Sequence, residues 1–156
     1  MTMPSFHQVK ILPYSSELLF NLVLAVEDYP KFLPWCHSVR IISHDQQQQQ
    51  IITEVTIKFK VFTEQYQSRI IYTTTPTGHY IIDVEAISGP FKYLHNKWQF
   101  YQEHDNNSVI DFSIDFQFRS LLLDKLIGAF FYRAIEKMID AFEKRALFLS
   151  NASRRL

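Results

Sequence analysis

Apolar and polar residues alternate without a break from Ile110 to Phe118. Ile110, Phe112, Ile114, Phe116 and Phe118 stand against Asp111, Ser113, Asp115 and Gln117. A period of two predicts a strand with one buried and one wet face. The same pattern recurs upstream. Ile51, Val55, Ile57, Phe59 and Val61 alternate with Ile52, Glu54, Thr56, Lys58 and Lys60. Phe62, Tyr66, Ile70 and Tyr72 alternate with Thr63, Gln65, Gln67 and Arg69, and Leu94, Trp98 and Phe100 with His95, Lys97 and Gln99. Further strands are expected at Phe6–Leu12, Val39–Ser43 and Tyr80–Ile87. The runs are separated by turn signals: the glutamines 46–50, Pro76-Thr77-Gly78, Ser88-Gly89-Pro90 and Asp105-Asn106-Asn107.

The period changes twice. Leu18, Leu19, Leu22, Val23 and Val26 follow Ser15 and Ser16, either of which can cap a helix. From about Leu121, apolar residues recur at three and four through Phe142, with Lys125, Arg133, Glu136, Lys137, Asp140 and Glu143 on the other side. This predicts one long amphipathic C-terminal helix. Gly128 falls inside it, and a small residue there leaves room for a close-packed strand or a ligand. The order strand, helix, corner, strands, long helix is that of an α+β domain in which one helix covers the apolar face of a curved antiparallel sheet. A twisted sheet and a straight helix cannot touch along their whole length, so a gap lined by aromatic and aliphatic residues is expected between them.

The corner Val26–Cys36, VEDYPKFLPWC, sharpens that picture. Pro30 and Pro34 fix φ and bias Tyr29 and Leu33 away from the α region. Tyr29, Phe32, Leu33 and Trp35 are too apolar for an ordinary surface loop and suit the rim of a greasy cavity. Gly89-Pro90 likewise breaks the sheet and projects Phe91 at a fixed angle, as a turn or as a lip over the cavity.

Composition sets the bounds. The 156 residues read as one domain over residues 1–150 with a short basic tail, residues 151–156. Aromatics make up 15%, more than a plain core requires. Lys+Arg and Asp+Glu are both 16, so nothing in the balance suggests DNA binding. A single cysteine, Cys36, excludes an intrachain disulfide and a multi-cysteine metal site. No apolar run reaches the length of a transmembrane helix, and the N-terminus lacks a signal-peptide layout, so a cytoplasmic protein is expected. Six scattered histidines have no metal-ligand spacing, and the three glycines form no phosphate loop. Cys36 and His37 are strand neighbours pointing to opposite faces. No catalytic constellation and no metal site is expected, and Asp111 and Asp115 read as a solvated face.

Three segments resemble a known family: Val26–Cys36, Ser88–Phe100 (SGPFKYLHNKWQF) and Phe116–Phe131 (FQFRSLLLDKLIGAFF). They are similar to the ubiquinone-binding coenzyme Q chaperones, within the START-like polyketide cyclase and lipid transport superfamily. Bacterial members of the same family are described as ribosome association toxins. The resemblance implies a helix-grip fold, with a curved antiparallel sheet of about seven strands around the C-terminal helix. It also implies no covalent cofactor, and ubiquinone or a related polyprenyl lipid as bound ligand in support of respiration. Tyr29, Pro30, Phe32, Pro34, Trp35, Gly89, Pro90, Phe91, Leu94 and Trp98 are the matched motif positions.

The residues expected to line the cavity are Trp35, Phe59, Tyr66, Val84, Phe91, Leu94, Trp98, Phe112, Phe116, Ile127 and Phe131. Trp35, Trp98 and Tyr66 each offer a donor to an uncharged quinone head. Two other functions fit parts of the chain. One is binding to the large ribosomal subunit, using Lys58, Lys60 and Arg69 or Lys144–Arg145 and Arg154–Arg155. The other is polyketide cyclisation, with Asp83, Glu85 or His95 as acid or base. Peripheral contact with the inner face of a membrane, through the proline corner or the Gly89-Pro90 lip, is a further expectation.

Overall fold

The computed structural model describes residues 5–59 and 62–154. The elements run β1 (Ser5–Leu12), α1 (Ser16–Leu24), a 3₁₀ turn (Val26–Lys31), β2 (Cys36–Asp45), β3 (Gln50–Phe59), β4 (Phe62–Thr74), β5 (His79–Ala86), β6 (Phe91–Gln102), β7 (Ser108–Phe118), α2 (Leu121–Gly128) and α3 (Phe131–Arg154). The seven strands form one sheet in the order β1-β7-β6-β5-β4-β3-β2, and every neighbouring pair is antiparallel.

The register places like with like. Phe112 faces Trp98, Ile110 faces Phe100, Phe116 faces Leu94, Val84 faces Ile70, and Tyr66 faces Val55. These residues share one face, which is the face the period-two pattern assigned to the interior. The other face carries Arg69–Glu85 at 2.6 Å, Arg40–Glu54 at 3.1 Å and His7–Asp111 at 2.7 Å.

Ser15 caps α1 by accepting from the Leu18 amide at 3.1 Å. Leu19, Phe20, Leu22 and Val23 are buried, and the Phe20 ring stacks on Tyr80 at 4.7 Å. Helix α3 buries Phe131, Ile135, Phe142 and Ala146, a stripe at helical spacing. Phe142 is the pin that joins the layers. Its ring lies 5.1 Å from Trp98 on the sheet, and 5.5 Å from Tyr29 and 5.3 Å from Phe32 on the corner.

Three sequence expectations change. The single C-terminal helix is two, α2 and α3, parted between Gly128 and Phe131. Gly128 therefore ends a helix rather than interrupting one, and nothing lies within 4 Å of the β-carbon an alanine would place there. No strand packs against it, and it is not among the residues that line the cavity described below. Tyr29, despite preceding a proline, lies inside the 3₁₀ turn, whose bonds include Asp28 N to Ala25 O and need no amide from Pro30. Residues 151–154, expected as tail, continue α3. Lys60, Val61 and Arg155 lie outside the described residues.

Candidate functional site

Between the inner face of the sheet, the first half of α3, α2 and the 26–36 corner lies a cavity of about 260 Å³. It exists because α3 leaves the sheet's surface as the strands curl. The helix's second half, at Phe142 and Ala146, packs into the core. Its first half offers Phe131, Ala134, Ile135 and Met138 to the hollow.

Ten of the expected lining residues are there: Trp35, Phe59, Tyr66, Val84, Phe91, Leu94, Trp98, Phe116, Ile127 and Phe131. Phe112 is not. Its ring lies 4.4 Å from Trp98 and 6.2 Å from Phe6, and it lines a separate hollow of about 40 Å³ with Leu19 and Phe142. Alternation says which face a residue is on, but not how far along the curl it sits. The inward face of β7 serves the cavity at Ile114–Phe118 and the packed core at Ile110–Phe112.

The walls also carry polar atoms that the apolar pattern passed over. Thr53 and Ser68 are buried, with their hydroxyls 2.6 Å apart. Trp98 Nε1 donates to Asn96 Oδ1 at 2.8 Å, and Asn96 Nδ2 donates to the Ser113 carbonyl at 3.0 Å. The Tyr29 hydroxyl donates to the Val23 carbonyl. The period that placed Leu94 and Trp98 inward also places Asn96 inward, so that signal was present. Burial raises the phenols of Tyr29 and Tyr66 far above the ordinary tyrosine range, with the neighbouring Cys36 adding to the shift. The Cys36 thiol, also desolvated, is pushed up to about 11.

No lining residue among those described carries a carboxylate or an imidazole. Asp83, Glu85 and His95 are on the outer face, with His95 Nε2 2.7 Å from Asp83 Oδ1 and Glu85 paired with Arg69. Among the described residues there is no group of three or more potential metal ligands.

The inner walls at Thr53, Ser68, Phe91, Phe116 and Phe131 are buried, whereas Trp35, Phe59, Ile127 and Phe130 are only half-buried. Trp35 and Phe59 meet edge to face at 6.1 Å, and Phe59 meets Phe130 at 6.0 Å. This line of half-buried aromatic rings borders the cavity beside α2, and we take it as the mouth. Just outside it, α2 and the start of α3 expose Leu121, Leu122, Leu126 and Tyr132. No described helix is long and apolar enough to cross a membrane.

A curved antiparallel sheet gripping a C-terminal helix around an apolar hollow is the helix-grip architecture of START-like proteins and polyketide cyclases. The chain belongs to the polyketide cyclase/dehydrase and lipid transport family, which it matches over residues 12–143. It is 51% identical over 144 residues to a protein of Rickettsia prowazekii named ribosome association toxin RatA, covering 92% of this chain and 97% of that one. It is 28% identical over 144 residues to the mitochondrial coenzyme Q-binding protein COQ10 homolog B of Xenopus laevis, covering 90% and 57%. The solution structure of an 18 kDa protein from Caulobacter crescentus matches with a TM-score of 0.74 at 34% identity, covering 96% and 99%.

Proposed function

We propose that the cavity binds ubiquinone or a related polyprenyl lipid and that the protein acts as a quinone chaperone in respiratory electron transport. The supporting observation is the lining: aromatic and aliphatic side chains with a few neutral polar atoms and no ionised group. Such a site suits a prenylated ring whose only polar atoms are carbonyl and ether oxygens. Apolar surface leaving water gains roughly 25 cal/mol per Å². The name of the Xenopus relative agrees with this reading. The exposed leucines of α2, with Arg119, Lys125 and Arg133 also exposed nearby, are where an anionic lipid surface would meet the mouth. The test is to purify the protein from a quinone-making host and extract it with organic solvent. Bound quinone, or saturable uptake of added quinone, is expected; neither occurring rejects the proposal.

A second reading, association with the large ribosomal subunit, is favoured by the name of the Rickettsia relative and by one surface. Arg145 lies over the rings of Phe32 and Phe148 at 5.3 and 5.0 Å, and Lys137 and Lys144 flank the same open groove, which Asp140, 3.0 Å from Lys144, also lines. Of the other cations expected to serve this role, Arg69 is engaged with Glu85. Binding through RNA phosphates falls steeply with added salt, whereas uptake of a buried lipid barely responds. Co-sedimentation with ribosomal subunits across a salt series separates the two readings.

A further inference from the structure

The polar atoms of the cavity are almost all committed to one another. Thr53 and Ser68 bond each other, Trp98 bonds Asn96, Asn96 bonds the Ser113 carbonyl, and Tyr29 bonds the Val23 carbonyl. The Thr53–Ser68 pair keeps one hydroxyl hydrogen and Asn96 Nδ2 a second N–H, but two donor groups other than the Cys36 thiol have no side-chain or backbone partner at all among the described residues. One is Trp35 Nε1, on a half-buried residue at the mouth. The other is the Tyr66 hydroxyl, on the cavity wall, which has no hydrogen-bond partner among the described residues. Tyr66 is half-buried and its hydroxyl is not among the sealed, unpartnered atoms, so it is open to whatever enters the site.

Tyr66 is also held in place. It pairs with Val55 in the sheet, and Phe91 meets its ring edge to face at 5.1 Å. The Gly89 backbone closes directly over its α- and β-carbons. The Ser88-Gly89-Pro90-Phe91 turn thus works as a clamp that fixes the phenol. Its proton stays on at any physiological pH, because burial disfavours the phenolate. The group is a donor of fixed position.

We propose that Tyr66 Oη is the anchor of the bound ligand, donating to a ring carbonyl oxygen and so selecting a prenylated quinone over a prenyl hydrocarbon. This rests on the reading of the cavity as a lipid site and adds which atom of the lipid is recognised. Size agrees with a ring at this position. An apolar cavity of about 150 Å³ accommodates one benzene, so about 260 Å³ holds a substituted ring and the first part of its prenyl chain. A longer tail leaves past Phe59 and Phe130.

The test titrates wild type and Tyr66→Phe with a short-chain ubiquinone and with a prenyl hydrocarbon of matched length that lacks oxygen. The variant is expected to weaken quinone binding about threefold to tenfold, the usual worth of one neutral hydrogen bond, and to leave hydrocarbon binding unchanged. In the wild-type complex the infrared stretch of one quinone carbonyl is expected at lower frequency than in alkane solvent. This measurement needs no variant. Equal quinone affinity in both proteins, or an unshifted carbonyl stretch, overturns the anchor while leaving lipid binding standing. Failure of the wild type to bind either ligand overturns the lipid site and the anchor together.

Discussion

Gly89 lies against Tyr66 so closely that a β-carbon at position 89 would stand 2.5 Å from Tyr66 Cβ and 2.9 Å from the Gln65 carbonyl oxygen. Its φ of +106° is one that side-chain-bearing residues rarely adopt. Gly89→Ala meets both obstacles and is expected to cost roughly 1–3 kcal/mol, read as a lower denaturation midpoint, and to displace Tyr66. Quinone uptake should fall with it.

Gly128 is the contrasting case. Its φ is not positive and its surroundings are open. Gly128→Ala should be neutral or raise stability by up to roughly 1 kcal/mol, measured by the same denaturation. A marked loss would mean that the break before α3 needs the glycine backbone.

Val84 lines the cavity and Phe112 does not. Val84→Phe puts its larger ring into the hollow rather than into a packed core, so it is expected to leave stability unchanged or raise it by up to roughly 1 kcal/mol and to block ligand uptake. Phe112→Ala removes a ring packed on Trp98 and should cost roughly 3–5 kcal/mol. Calorimetry with and without ligand distinguishes a blocked site from a weakened core.

The Cys36 thiol, pushed from its ordinary 9.0 up to about 11, favours the protonated form in the folded state. Its contribution to stability is whole below pH 9 and disappears as pH rises toward 11. Stability should therefore decline across that window, and Cys36→Ser should flatten the decline. Thiol reagents should react slowly at pH 8, where little thiolate is present.

Leu121 and Leu122 are 62% and 67% exposed. Changing both to serine should alter stability by no more than about 0.5 kcal/mol. If α2 meets lipid, the same change should reduce co-sedimentation with anionic vesicles. Unchanged sedimentation would place the contact elsewhere.

Much of this was legible in residue order. Strict alternation along Ile110–Phe118 identified the inward face of β7, and Ser15 and Ser16 marked the start of α1, where Ser15 proves to be the cap. What the pattern lacked was what lies over each part of that face. Two residues on the same face of one strand, Phe112 and Phe116, serve different hollows because α1 and Phe142 fill the space over the first, whereas the cavity lies over the second. The period did place Asn96, Thr53 and Ser68 on the inward face, but it did not show the hydrogen bonds that let these polar residues sit there. The division of the last helix at Gly128 was hidden by apolar periodicity that runs unbroken across it.

The hollow has an energetic meaning of its own. Unfilled space inside a protein costs roughly 24 cal/mol per Å³. A guest that filled about 260 Å³ would therefore add at most on the order of 6 kcal/mol of packing. A bound guest would supply contacts that side chains supply in other proteins of this size, so the loaded form should melt well above the empty one. Unloading then amounts to removing part of the molecule's own interior, and the acceptor has to compete with folding itself.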